Sequence, residues 1–160
     1  MSRNRITAGP KSVVCQETDL RGEISIGSIL HPQCRVIAEN GPIYIGRNNI
    51  IEENVIIFNN HSTPLIIDIE GSPIGNNNIV EARARVIGNT TVGNHCVIGA
   101  GCSTDANEKI VDYTVIYGGQ SKRRTQSEVL PAQASLHARH LEYLREVLPK
   151  YNHLKKLDTM

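Results

Sequence analysis

The chain has 160 residues, a formal net charge of +1 and 39% hydrophobic residues, enough for one domain with a tail but with no global field to recruit nucleic acid or a membrane surface. One Phe, no Trp and 4% aromatic residues exclude a core built on large rings and favour a narrow interior of Val, Ile and Leu. No apolar run reaches the length of a membrane span and the start Met1-Ser2-Arg3-Asn4-Arg5 is unlike a signal peptide, so a soluble intracellular protein is expected.

From the N-terminus, Ala8, Val14, Leu20 and Ile26 fall six residues apart. Ile26 to Leu30 is a short step of four, and the six-residue step returns between Leu30 and Val36. After the irregular stretch Ala38-Glu39-Asn40-Gly41-Pro42, the period resumes at Ile45, Ile51 and Ile57. It lapses from Phe58 to Pro73. Ile74 restores it through Val80, Val86, Val92, Ile98, Ile110 and Ile116, with Thr104 the weak member. Such a period is neither helical nor the alternation of an ordinary strand. It marks hexapeptide repeats, three to a turn of a triangular parallel β-helix. About six coils in two blocks are predicted, on the order of 30 Å tall at roughly 4.8 Å per layer.

Two further slots repeat with the aliphatic one. Four places after it stands a small residue, as at Ser12, Thr18, Ala84, Thr90, Cys96, Cys102 and Thr114, which faces inward near a corner. Three places after it stand Asn48, Asn54, Asn77, Asn89, His95, Gly101 and Asn107. Asn, Gly and His tolerate the positive φ that a tight corner demands. Cys34, Cys96 and Cys102 occupy the small slot, and no CxxC spacing is present. Cys96 and Cys102 lie on adjacent faces of one turn, which argues against a disulfide between them. Buried, inert thiols are expected.

The six-residue pattern stops after Ile116-Tyr117-Gly118-Gly119. Residues 1–118 therefore read as the β-helix, and 119–160 as a linker with a C-terminal helical segment. Lys122-Arg123-Arg124 reads as a solvated hinge in preference to a binding patch. Beyond Pro131, Leu141, Leu144, Leu148 and Tyr151, with His137 one turn earlier, form a helical stripe. Arg139, Glu142, Arg145 and Glu146 take the other face. The stripe is expected to pack on a flank of the prism, or to dock a partner chain. Pro149 is expected to break or kink the helix near Leu148, leaving Tyr151 to Leu157 as a second short piece.

Two enzyme classes suit such a fold, and both need histidines. A carbonic anhydrase of the hexapeptide type gathers three histidines on a metal across a trimer interface, two of them five residues apart. The histidines here are His31, His61, His95, His137, His140 and His153, and Thr90 and Ala100 stand where His95 would need a partner. A hexapeptide acyltransferase needs a loop histidine as general base, for which His61 is the candidate, with Asp68 or Glu70 to orient it. Glu52 and Glu53 point to opposite sides of a strand, and no phosphate-binding glycine loop is present. No catalytic, cofactor or metal residue is assigned. A β-helix without a site is a rigid stacking element whose ends expose strand edges to be capped or joined.

Three segments carry a family resemblance. They are Arg21-Gly22-Glu23-Ile24-Ser25-Ile26-Gly27, Leu30-His31-Pro32-Gln33-Cys34-Arg35-Val36-Ile37-Ala38-Glu39, and Gly41-Pro42-Ile43-Tyr44-Ile45-Gly46 leading to Asn49-Ile50-Ile51-Glu52-Glu53. With Thr114-Val115-Ile116-Tyr117-Gly118, Arg123-Arg124 and Leu148-Pro149-Lys150-Tyr151-Asn152-His153-Leu154-Lys155-Lys156, they make the chain resemble the dynactin subunit 6 family over nearly its whole length. The resemblance implies a left-handed β-helix without enzymatic activity or cofactor. It also implies pairing with dynactin subunit 5 in the pointed-end complex, beside actin-related and zinc-binding chains. From there the complex would link dynein to cargo and kinetochores as a cytoplasmic, cytoskeleton-associated assembly. The turn from Ile26 to Leu30 is two residues short, and Phe58–Pro73 is shorter than the family carries.

Overall fold

The computed structural model describes residues 4–39, 41–59, 74–126 and 131–159. The chain winds as a parallel β-solenoid of about five turns with one C-terminal helix. Its short strands stack in register on three faces. On the first, Ile26, Ile45, Ile74, Val92 and Ile110 align. On the second, Val14, Leu30, Ile51, Val80, Ile98 and Ile116 align. On the third, Leu20, Val36, Ile57 and Val86 align, and a bridge from Arg85 to Ser103 carries the column on to Thr104. The aligned aliphatic residues and Thr104 are all buried, so the aliphatic period is the core. Against the about six coils expected, the solenoid makes about five turns.

Thr104 belongs in the core because its hydroxyl is satisfied there, by the Ile87 carbonyl and the Thr90 hydroxyl. The short step from Ile26 to Leu30 lies inside one continuous strand, Glu23–Leu30, whose register against Ile43–Ile51 shifts around Gly27. That shift absorbs the two missing residues at the corner.

All seven expected corner residues have positive φ, from 57° at His95 and Asn107 to 71° at Gly101. Lys11, Gln33, Arg83 and Tyr113 occupy the same slot at 63° to 67°, although their side chains carry no preference for it. The slot dictates the conformation there, not the residue type. Buried amides then tie coil to coil. Asn49 donates to the Gly75 carbonyl at 2.7 Å and accepts from the Asn78 N–H at 2.8 Å. Asn78 in turn accepts from the Cys96 N–H at 2.7 Å.

The tail departs from expectation in three places. Lys122–Thr125 is a strand, antiparallel to Thr114–Tyr117, that covers the edge of the second face at the C-terminal end. Within it Arg123 is no solvated hinge. Its guanidinium grips both Glu108 carboxylate oxygens at 2.5 and 2.7 Å, and it also donates to the Ser121 and Ser103 carbonyls. Glu108 holds its charge more readily for that bond and the Arg123 guanidinium likewise, each pKa moving away from neutral. Arg123→Ala should cost about 2 kcal/mol in urea unfolding, since it strips a charged, hydrogen-bonded pair from the cap. A loss within the few tenths typical of a solvated pair would refute that role.

Second, the helix runs from Pro131 to Tyr151 through Pro149 rather than stopping at Leu148. Pro149 lacks the N–H that would bond the Arg145 carbonyl, but it stands in the last turn, and Asn152 closes that turn by donating both its backbone N–H and its side-chain amide to the Leu148 carbonyl. Leu141, Leu144 and Leu148 are buried as expected. Tyr151, expected in the same stripe, is 80% exposed at the last position of the helix.

Third, Tyr151 to Leu157 forms no second helical piece. The residues beyond Tyr151 run as a strap over the N-terminal end of the prism. Gln16 N–H donates to the His153 carbonyl, Lys155 N–H to the Val14 carbonyl, and Lys155 Nζ to the Thr18 carbonyl. Asp158–Thr159 then pairs in parallel with Thr7–Ala8. The 21-residue helix is about 30 Å long, enough to span the roughly 24 Å of five turns, which lets one tail close edges at both ends.

Candidate functional site

The second face differs from the others in having aliphatic residues on its outside as well. Val13, Ile29, Ile50, Ile79, Val97 and Val115 form an unbroken outward column, one residue before each core aliphatic. The C-terminal helix covers the first half, where Leu141, Leu144 and Leu148 bury Val13, Ile29 and Ile50 together with Cys15. Over the second half the helix presents Gln133, Ala134, Leu136, His137 and His140 instead, leaving a groove of about 340 Å³ above Ile79, Val97 and Val115. Arg145, expected on the solvent face, reaches back to the Lys11 carbonyl and to Asn48 Oδ1, both at 3.0 Å. It therefore helps clamp the helix to the corner.

The histidines considered as ligands are placed apart in role. His31 is buried, both ring nitrogens lack a hydrogen-bond partner, and Glu53 Oε1 lies 3.8 Å from Nδ1. His95 sits at its corner, its ring stacked on Tyr113 with centroids 5.3 Å apart. His137 Nε2 is 2.7 Å from the Asn48 carbonyl oxygen. His140 and His153 are exposed. His61, Asp68 and Glu70 lie outside the described residues. Thr90 is buried and hydrogen-bonded to the Ile87 and Asp105 carbonyls, and Ala100 is exposed. Among the described residues no group of three or more His, Cys, Asp or Glu is arranged to hold a metal ion.

Nor do the other candidate groups converge. Glu52 and Glu53 lie at the corner after Ile51 rather than within a strand. Glu52 accepts from the Ala82 N–H at 3.3 Å, and burial raises its pKa, while Glu53 faces His31. All four cysteines are buried free thiols. Burial pushes Cys15 up to about 11 and Cys34 up to about 12, and raises Cys96. Thiols held protonated in this way are poor nucleophiles and poor metal ligands.

Burial lowers the pKa of His31, against the pull of Glu53, and lowers that of His137 as well. Each imidazole is therefore neutral in the fold over a range where the unfolded chain takes up a proton. Below the unfolded value near 6.5, the unfolded state binds more protons, so stability falls as pH drops. The melting temperature should be flat down to about pH 7 and decline from there to pH 5. His31→Gln should shrink that decline. An equal melting temperature at pH 7.5 and 5.5 would show that His31 is not held neutral.

Among the described residues no helix is long and apolar enough to cross a membrane. No protein-family model matches the chain. Among solved structures, a putative acetyltransferase from Bacillus cereus overlaps 93% of this chain and 98% of its own at TM-score 0.42 and 14% identity. A hexapeptide transferase family protein from Anaplasma phagocytophilum overlaps 93% of this chain and 99% of its own at TM-score 0.36 and 10% identity. Likeness that distant says nothing of chemistry here. Curated sequences are much nearer. The chain is 42% identical over 175 aligned positions to dynactin subunit 6 of Nematostella vectensis, covering 95% of this chain and 93% of that one. It is 37% identical to dynactin subunit 6 of Danio rerio, with 95% and 87% covered, and 35% identical to that of Dictyostelium discoideum, with 94% and 88% covered. With near-complete coverage in animals and an amoeba alike, this chain belongs to the dynactin subunit 6 family.

Proposed function

We propose that the chain is a non-catalytic structural subunit of dynactin's pointed-end complex. It pairs there with dynactin subunit 5, beside the actin-related and zinc-binding chains, and supports dynein-based transport and targeting to cargo or kinetochores. The setting is the cytoplasm, in association with the cytoskeleton. The observation that carries this reading is the 42% identity to a dynactin subunit 6 across 95% of the chain. The geometry agrees with it. His95, His137 and His31 are occupied in a corner stack, a helix contact and a buried pocket, and burial raises the pKa of the Cys15, Cys34 and Cys96 thiols. What the fold offers is a stiff prism with defined faces.

The test is native affinity purification of the tagged chain from its own cells, with mass spectrometry of partners and metal analysis of one eluate. Copurification with actin-related and other dynactin chains, without stoichiometric metal, is the expected result. A free homotrimer carrying a transition metal would sink the proposal.

A further inference from the structure

The second face is built to be covered along its full height. Its outward column is aliphatic on every coil, whereas the corresponding positions on the first face include Thr7, Ser25, Thr91 and Lys109. A surface position on a strand has no structural need for an aliphatic residue, because water solvates a polar one at no cost. The lower half of the column shows what such residues do here. Val13, Ile29 and Ile50 are buried under three helix leucines. The upper half, Ile79, Val97 and Val115, continues the same column in register and is only half-buried.

The helix sequence changes at that boundary. Leu141, Leu144 and Leu148 give way to Gln133, Ala134 and His137, and Leu136 is 64% exposed. The groove so formed has a volume of about 340 Å³ and is lined by no Asp, Glu, Lys or Arg among the described residues. Its rim carries polar donors and acceptors, His95 and His140 among them. A charged ligand would find no Asp, Glu, Lys or Arg to pair with among the described residues, and a fully polar one would leave the aliphatic floor exposed. An occupant with aliphatic side chains and a polar backbone fits both the floor and the rim.

We propose that this groove is a docking site for a partner chain, which inserts aliphatic side chains between the first half of the C-terminal helix and Ile79, Val97 and Val115. The site extends the interface that the helix already makes with the lower half of the same column. The inference rests on the reading above, that the chain works inside a multi-subunit complex. It adds the surface through which a neighbour holds it.

The experiment compares the tagged wild-type chain with Ala134→Trp, which fills the groove from an exposed helix position, in native purification and in thermal unfolding. Ala134→Trp should melt with the wild type and recover roughly tenfold less of the other dynactin chains. Hydrogen exchange of residues 133–140 should be slower in the purified wild-type complex than in the free chain. Should Ala134→Trp melt early, Leu136→Gln, at a position 64% exposed, replaces it with the same expectation. Full recovery of dynactin chains by the folded variant, with unchanged exchange at 133–140, overturns the docking site and leaves the family function standing. A wild-type chain that recovers no dynactin chain overturns both together.

Discussion

Val92→Asp is expected to unfold the solenoid. Val92 is 2% exposed and stands in the inward column between Ile74 and Ile110. A carboxylate there would have aliphatic neighbours in its own coil and in the coils on either side, and the prism is too narrow for it to turn outward. Burying an isolated charge costs several kcal/mol even after its pKa adjusts, against a total stability on the order of 5–15 kcal/mol. Circular dichroism at 25 °C should show loss of the β signal. The neighbouring Thr91→Asp faces the half-buried exterior and should stay within roughly 1 kcal/mol of wild type. If Val92→Asp melts with the wild type, the inward register is wrong.

Leu141→Ala is expected to cost about 2–4 kcal/mol, the range for a buried leucine whose site cannot fully collapse. Leu141 is 4% exposed and belongs to the cluster of Cys15, Ile29, Ile50, Leu144 and Leu148 that joins helix to prism. The consequence should reach further than the cavity, because the helix carries the strap. Loosening it should release Lys155 from Val14 and the Asp158–Thr159 strand from Thr7–Ala8, and open the N-terminal edge. Hydrogen exchange would show this as faster exchange at Thr7 and Ala8 alongside residues 141–148. Fast exchange confined to the helix would mean that the strap is held by its own bonds.

The residues that carry this fold act at short range, and for that reason the solenoid was legible before any coordinates. The inward aliphatics repeat with their corner partners, and each rung needs the same three things: an apolar side chain pointing in, a small one beside it, and a residue that accepts positive φ. Even the corners without a favourable residue, Lys11, Gln33, Arg83 and Tyr113, follow from their place in the count. The outward column was also written in the chain, as the doublets Val13-Val14, Ile29-Leu30, Ile50-Ile51, Ile79-Val80, Val97-Ile98 and Val115-Ile116. It escapes a search for a six-residue period because it returns only once per coil, and Ile56-Ile57 on another face mimics it.

The tail was different. Its leucine stripe gave the docked face of a helix, but Pro149 suggested a break that Asn152 and the docked Leu148 prevent. Lys122-Arg123-Arg124 suggested a hinge because nothing nearby in the sequence announces Glu108, fifteen residues back, as its partner. The strap owes its path to a helix long enough to span the prism, and the groove to where the leucines stop relative to that column. Repeats are specified by neighbours one coil apart and can be read as a pattern. Caps, clamps and grooves are made by segments far apart in the chain, and only the folded molecule brings them into contact.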